Sequence, residues 1–218
     1  MTRKIKAVIF DMDGLIIDSE PLWRKAEIAS FASVGYQFTD EMCSSTKGMR
    51  IDEVVSHWHE KLKWKSPSKS LVVDDITQRM INFIKTHGKA LPGVEFVLDK
   101  LKKNNIPIAL ASSSPIILIE TVLKTLKIKN YFDVIHSAEF EKKGKPDPQV
   151  FLTTSNKLGV EPINCLVLED SMVGMKAGLN AQMRTIVIPE INTPKESWQN
   201  EAYCVLNSLN DFNLNLLS

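Results

Sequence analysis

Short apolar segments recur along the chain, and they have the length and β-branched content of buried strands. Because their apolar residues do not alternate with polar ones, both faces of each strand are expected to be covered, as in a parallel sheet between layers of helices. The predicted strands are Ala7–Phe10, Ile108–Ala111, Val134–Ile135, Leu166–Leu168 and Thr185–Ile188, with a weaker one near Val205–Leu206.

Helical periodicity separates these strands from about residue 90 onwards. Apolar residues fall at i, i+3, i+4 and i+7 from Val94 to Leu101 and again from Ile119 to Leu126. Another helix is predicted to end near Gly159. Alternation of helix and strand is typical of a doubly wound sheet. The sequence therefore predicts an α/β fold with a doubly wound, Rossmann-like parallel sheet.

One long segment near the N-terminus breaks this alternation. It contains no convincing strand and three helical patterns, the clearest of which runs from Ile51 to Trp58. We predict an all-helical cap domain at residues 18–88, inserted into a core domain formed by residues 1–17 and 89–218. The linkers on its two sides carry Gly and Pro, which favour hinges: residues 14–19 and 88–93.

The charge is nearly balanced, with 27 basic and 26 acidic side chains and a net charge of +1. This balance argues against binding to nucleic acid or to an anionic membrane surface, and no apolar stretch approaches the length of a membrane span. The three cysteines are odd in number and lack zinc-ligand spacing, which predicts reduced thiols. The N-terminus does not resemble a secretory signal. We expect a cytoplasmic protein.

Two pairs of acidic residues come directly after predicted strands, namely Asp11 with Asp13 and Glu169 with Asp170. In an open α/β sheet, ligands bind outside the carboxyl ends of the strands, so both pairs are expected at one site. Clustered carboxylates repel one another unless a cation lies among them. Because oxygen ligands favour Mg²⁺ over zinc or copper, the sequence predicts a magnesium site.

A hydroxyl and an ammonium group complete a predicted pocket for phosphate. Ser112 follows the second predicted strand, and Lys145 precedes a predicted helix. The neighbouring Ser114 is interpreted as the N-cap of a helix that has Pro115 at its first position. This interpretation leaves Ser112 free to bind an anion.

Four motifs along the chain resemble those of the haloacid dehalogenase superfamily. They are, in order, Asp11-x-Asp13-Gly14, Ser112, Lys145-Pro146 and Glu169-Asp170. The resemblance covers the whole chain, including a helical cap inserted after the first motif. Within the superfamily, the residues from Asp11 to Trp23 and from Leu91 to Val94 resemble the sugar-phosphatase branch. The resemblance implies substrates such as 2-deoxyglucose 6-phosphate, hexose 6-phosphates and hexitol phosphates.

This resemblance also implies a mechanism through an aspartyl-phosphate. Asp11 would attack phosphorus, and Asp13 would protonate the leaving group and then activate water. The cofactor would be Mg²⁺, with Mn²⁺ or Co²⁺ able to substitute. Its ligands would be Asp11, the backbone carbonyl of Asp13, Asp170 and, directly or through water, Glu169. The groups that bind the transferring phosphoryl group would be Ser112, the backbone N–H of Ser113 and Lys145.

Specificity is expected to come from polar or bulky residues of the cap. The candidates are Glu20, Trp23, Lys47 and Arg50, with Asn104 as a further one.

Three alternatives share the scaffold. A β-phosphoglucomutase transfers phosphoryl groups between sugar hydroxyls, but that branch has a histidine where this sequence has Trp23. A true haloacid dehalogenase needs no leaving-group acid, so the presence of Asp13 argues against it. A non-catalytic sugar-phosphate sensor would be favoured by loss of Asp11 or Asp13, and both are present. We therefore predict a magnesium-dependent phosphatase that binds a small phosphate ester and acts as a monomer.

Overall fold

The computed structural model describes residues 4–190 and 194–218. These residues contain a six-stranded parallel sheet. Its strands are β1 (Ala7–Phe10), β2 (Ile108–Ser112), β3 (Val134–Ser137), β4 (Cys165–Glu169), β5 (Arg184–Val187) and β6 (Cys204–Val205). Across the sheet their order is β3-β2-β1-β4-β5-β6. The predicted strands are confirmed, with ends that differ by one or two residues.

Helices connect the strands and cover both faces of the sheet. The α-helices within the described residues are α1 (Glu20–Ser33), α2 (Asp40–Ser44), α3 (Ile51–Leu62), α4 (Lys69–His87), α5 (Val94–Lys103), α6 (Ile116–Leu126), α7 (Gln149–Leu158) and α8 (Met172–Asn180). The 3₁₀ helices are Lys129–Tyr131, Ala138–Phe140, Pro162–Asn164, Ser197–Glu201, Leu209–Asp211 and Leu214–Leu217.

The central strand, β1, packs into apolar layers on both faces of the sheet. Val8 and Phe10 belong to the layer that contains α5, α6 and the inserted helices. Ala7 and Ile9 belong to the layer formed with α7 and α8. Because every residue of β1 is buried, the continuous apolar pattern is explained by coverage on both sides. The doubly wound α/β fold is confirmed.

The register of the central strands brings polar residues to one edge. Phe10 pairs with Leu110 of β2 and with Leu168 of β4. These three strands therefore end at nearly the same level of the sheet. The residues that follow, Asp11 and Glu169 among them, meet at the carboxyl edge.

Between β1 and α5 the described chain forms four α-helices, α1 to α4, and no strand. The sequence predicts only three, because α2 has five residues and is too short to show an apolar period. The two linkers to the sheet lie side by side, since Ile17 forms a β-bridge with Ala90 and the Asp18 N–H donates to the Lys89 carbonyl at 3.0 Å. The helical insertion thus leaves and rejoins the sheet at one place.

The three cysteines, Cys43, Cys165 and Cys204, are free thiols, as the sequence predicts. Cys165 is fully buried in β4, where it packs as a small core residue. In the part of the chain that the structure describes, no helix combines the length and apolarity needed to cross a membrane.

Candidate active site

Lys145 lies at the centre of a buried charged cluster. Its ammonium group donates to Asp11 Oδ1 at 2.5 Å and to Glu169 Oε1 at 2.7 Å. It also lies 5.0 Å from the centre of the Phe151 ring on α7. Burial alone would lower the pKa of Lys145, but the carboxylates of Asp11 and Glu169 raise it well above its ordinary value. The lysine is therefore held as a cation against Asp11.

The Glu169 carboxylate has both oxygens engaged within the protein. While Oε1 accepts from Lys145, Oε2 accepts from the N–H of Asp170 at 2.8 Å and from the N–H and hydroxyl of Ser171 at 2.9 and 3.0 Å. A Cβ on Gly174 would lie 1.6 Å from Oε1, so the packing of α8 against this carboxylate requires glycine. These contacts favour a role for Glu169 in holding Lys145 over one as a direct metal ligand.

Three carboxylates lie close enough to share a cation. Ligand oxygens of Asp11, Glu169 and Asp170 are all within 4.8 Å of one another. Asp170 Oδ2 is buried and makes no aligned hydrogen bond within the described residues. A Cβ on Gly14, whose φ is +72°, would come within 2.3 Å of that oxygen, so the close approach of Asp170 to this turn requires glycine. A buried group of carboxylate oxygens fits a hard divalent cation such as Mg²⁺.

The pKa shifts in this cluster also favour a bound cation. Burial, only partly offset by Lys47, raises the pKa of Asp170 to about 7. Burial also raises the pKa of Asp11, and the lowering effect of Lys145 does not cancel it. A cation among these oxygens would favour their ionised forms, because a nearby opposite charge offsets both desolvation and mutual repulsion.

Asp13 lies outside this three-carboxylate group and is held by hydroxyl and indole donors. The donors to Oδ1 are the Ser19 hydroxyl at 2.7 Å and the Trp23 indole N–H at 2.9 Å. The donors to Oδ2 are the Ser114 hydroxyl at 2.7 Å and the Ser112 hydroxyl at 3.4 Å. The carboxyl group of Asp13 is thus fixed beside Asp11, in a place where it can exchange a proton with a bound group.

Ser114 does not cap a helix, so this prediction is wrong. The first N–H of α6, that of Ile116, donates to Glu139 Oε2 at 3.0 Å, and no serine side chain caps the helix. The Ser114 hydroxyl is used by Asp13 instead, and its N–H donates to Ser112 Oγ at 3.0 Å. Sequence reasoning missed Ser114 as a site residue, although its place in a serine run after a buried strand was a usable signal.

Lys47 carries a positive charge from the insertion to the carboxylates of the core. Its ammonium group lies 2.7 Å from Asp170 Oδ2 and 3.6 Å from Glu190 Oε2. Glu20, the first residue of α1, lies in the same region. Burial raises the pKa of Glu20 to about 7, and Lys47 opposes this rise. Lys47 and Glu20 therefore form a charged part of the wall of the pocket that contains Asp11.

Arg50 connects the insertion to the core and does not line the pocket that contains Asp11. Its Nη1 donates to the carbonyl oxygens of Ala138 and Glu141 at 3.1 and 2.8 Å. Asp52 holds Nε and Nη2 of the same guanidinium. Arg50 therefore bonds α3 to the segment that follows β3.

Two more hydrogen bonds join the same surfaces. The carboxylate of Glu53 accepts from the Gly144 N–H at 2.9 Å, directly before Lys145 in the chain. The Ser113 hydroxyl donates to the carbonyl of Gly48 at 2.8 Å. The insertion thus contacts the core through Arg50, Glu53 and Gly48. In this structure the insertion is closed over the core.

One pocket is lined by most of the site residues that the sequence predicts. It is lined by Asp11, Asp13, Ser112, Ser113, Lys145 and Asp170 of the core and by Glu20, Trp23 and Lys47 of the insertion. Glu169 is fully buried behind Lys145. Asn104 ends α5 and donates to the Lys100 carbonyl, away from this pocket. Glu27 also lines the pocket and was missed by sequence reasoning, although it lies one helical turn after Trp23.

Comparison with known proteins places these features in a family. Residues 8–188 match the family of haloacid dehalogenase-like hydrolases. Hexitol phosphatase B of Escherichia coli is 43% identical over 189 residues, which cover 86% of this chain and 85% of that protein. The phosphorylated carbohydrates phosphatase of Thermotoga maritima is 32% identical over 195 residues, which cover 88% of this chain and 89% of that protein.

Among solved structures, a β-phosphoglucomutase from Clostridium difficile superposes with a TM-score of 0.84 at 28% identity. The superposition covers 97% of this chain and 94% of that one. The resemblance carried by the four sequence motifs is confirmed by these matches. This chain belongs to the haloacid dehalogenase-like hydrolases.

Proposed function

We propose that this hydrolase removes phosphate from small sugar and sugar-alcohol phosphates, with Mg²⁺ as cofactor and Asp11 as nucleophile. The observation that carries this proposal is the buried pairing of Asp11 with Lys145, beside an Asp13 held by four donors. The names of its relatives, which include a hexitol phosphatase and a phosphatase of phosphorylated carbohydrates, support the substrate class.

The chain's own residues account for both chemical steps. An Asp11 oxygen attacks phosphorus, the bond from phosphorus to the ester oxygen breaks, and the leaving alkoxide takes a proton from Asp13. Asp13 then accepts a proton from water as that water attacks the aspartyl-phosphate, which releases phosphate and restores Asp11. Lys145 and Ser112 stabilise the negative charge on the phosphoryl oxygens.

Asp11, Asp170 and the backbone carbonyl of Asp13 would hold Mg²⁺, and Glu169 would act through Lys145 or a water molecule. When bound, the metal supplies positive charge against the repulsion between carboxylate and phosphate. This assignment is supported by the three buried carboxylates, whose ligand oxygens lie within 4.8 Å of one another, and by the close approach of Asp170 to Gly14.

Transfer of a phosphoryl group between sugar hydroxyls is the second candidate. The contacts of Arg50 and Glu53 with the core favour it in one respect, because a closed insertion excludes water from the aspartyl-phosphate. Trp23 argues for hydrolysis, since it occupies the position of a histidine in the mutase branch. We expect no sugar bisphosphate from β-glucose 1-phosphate. Its formation at a rate rivalling phosphate release would promote the mutase assignment.

Phosphate release from a panel of sugar and polyol phosphates tests the proposed function. We expect hexose 6-phosphates and hexitol phosphates to be the best substrates. Asp11→Asn should abolish turnover and keep the fold, because the side chains have the same shape and Lys145 keeps its contact with Glu169. Circular dichroism and a melting curve provide the folding control. Substantial turnover by the folded variant would exclude the covalent mechanism.

Three further assignments stay predictions. They are a cap domain with bounds at residues 18–88, a monomeric state and a cytoplasmic location.

A further inference from the structure

Glu27 presents a buried carboxyl group to the pocket, at a place that the reaction described above does not use. The residue is 6% exposed, and its Oε2 has no hydrogen-bond partner within the described residues. Glu27 nevertheless lines the same pocket as Asp11. Buried polar atoms are nearly always paired in native proteins, so the unpaired acceptor of a residue that lines a pocket calls for a donor from a ligand.

The position of Glu27 on α1 places it away from the reacting atoms. Glu20, Trp23, Arg24 and Glu27 follow at i, i+3, i+4 and i+7 on one helix face, and all four line the pocket. Trp23 reaches Asp13 through its indole N–H. Glu27 lies four residues further on, which is about 6 Å along the helix axis. A chain of several carbon atoms extending from the phosphate spans such a distance.

The protein groups around Glu27 do not satisfy its carboxyl group. The Cys43 thiol of α2 faces it, but a thiol is only a weak donor. The nearby Thr46 hydroxyl is committed to the Cys43 carbonyl at 3.2 Å. Among the other residues that line the pocket, Ile51 and Val54 are apolar, and Arg24 lies 3.9 Å from Glu190.

We propose that Glu27 is a specificity-determining residue that binds a hydroxyl group of the substrate at the end remote from the phosphate. This inference rests on the proposed function and narrows its substrate class to phosphate esters with a hydroxylated chain of several carbons. A hydroxyl group suits the site because it can both donate and accept. Burial raises the pKa of Glu27 to about 7, so the carboxyl group offers both roles near neutral pH.

The test compares two substrates that share the phosphate and differ in the distal hydroxyls. Sorbitol 6-phosphate can reach Glu27, whereas p-nitrophenyl phosphate offers no hydroxyl. We expect Glu27→Leu to lower kcat/KM for sorbitol 6-phosphate about tenfold or more and to change that for p-nitrophenyl phosphate less than about twofold. Glu27→Gln, which keeps an acceptor and a donor, should fall between wild type and Glu27→Leu. The matched control is Glu41→Gln, at an exposed position on α2, which should match wild type on both substrates.

The other outcomes overturn the proposal. Equal losses on both substrates would assign Glu27 a structural role in shaping the cleft, and no loss on either would mean that water satisfies its carboxyl group. Should Glu27→Leu not fold, the substrate ratio of Glu27→Gln decides in the same way. Failure of the proposed function has a separate signature, because wild type would then release phosphate from neither compound. In that case the affinity for sorbitol 6-phosphate is compared between Asp11→Asn and the double variant Asp11→Asn/Glu27→Gln. This comparison tests Glu27 without turnover, and equal affinities overturn the proposal.

Discussion

The indole N–H of Trp23 donates to Oδ1 of Asp13 at 2.9 Å. Trp23 belongs to the inserted helices and Asp13 to the segment directly after β1. The carboxyl group proposed as general acid and base therefore has two donors at the start of the insertion, Ser19 and Trp23, which both bind Oδ1. Its Oδ2 is held by Ser112 and Ser114 of the core.

Trp23→Phe should separate catalysis by Asp13 from the rest of the reaction. A hydrogen bond contributes about 0.5–1.5 kcal/mol, so we expect kcat for hexitol phosphates to fall about two- to tenfold. The rate of nitrophenolate release in the first turnover of p-nitrophenyl phosphate should change little, because this leaving group needs no protonation. Trp58→Phe is the control, since the buried Trp58 indole N–H has no partner within the described residues. An equal loss in this first-turnover rate would contradict the role of the indole in leaving-group protonation.

The sheet and its catalytic edge could be predicted from the sequence because local patterns determine them. Fully buried strands give continuous apolar runs, and ligands gather where such strands end, which identified Asp11 and Asp170 without coordinates. Ser114 was misread because a serine before a proline fits a helix cap equally well. Only the three-dimensional structure shows that its hydroxyl lies 2.7 Å from Asp13.

Contacts between the insertion and the core could not be predicted. Arg50 has the charge and the loop position of a substrate-binding residue, and its carbonyl partners at Ala138 and Glu141 lie about ninety residues away in the chain. Glu27 was missed for a different reason. An acidic residue within a helical pattern normally indicates a solvated face, and only the packing of α1 against α2 buries it.

Removal of divalent metal should abolish turnover. Exhaustive EDTA treatment is expected to stop phosphate release, and Mg²⁺ should restore it. Ca²⁺ should bind but support turnover poorly, because it tolerates irregular coordination. Calorimetry provides a second readout, in which Asp170→Asn should weaken Mg²⁺ binding without unfolding the chain. Full activity after EDTA would rule out this assignment.

Loss of the Arg50 guanidinium should loosen the closed arrangement. Arg50→Ala removes the donors to two core carbonyls, and we expect faster hydrogen exchange in residues 138–144 together with a lower kcat/KM. Arg79→Ala is the matched control, because among the described residues Arg79 pairs with Asp75 of its own helix, α4. The expectation fails if exchange in residues 138–144 is the same in both variants.

Stability should depend on pH through Glu27. Burial raises its pKa from 4.5 to about 7, so below pH 4.5 the group is protonated in both the folded and the unfolded chain. As pH rises from 4.5 to 7, only the unfolded chain ionises, and the free energy of unfolding falls by about 3 kcal/mol. Glu27→Gln lacks this effect. The difference between urea midpoints of the two proteins should therefore change across this window, and a constant difference would contradict the prediction.

The paired linkers at Ile17 and Ala90 have a consequence for how this architecture can diversify. Because the inserted chain departs and returns at neighbouring positions bridged to each other, its ends are fixed at a short separation whatever lies between them. Loop-closure entropy grows only slowly with length, so segments of quite different size and sequence can be grafted at this point without disturbing β1 or β2. Substrate choice can then evolve by exchange of a module, while the chemistry at Asp11 is inherited unchanged.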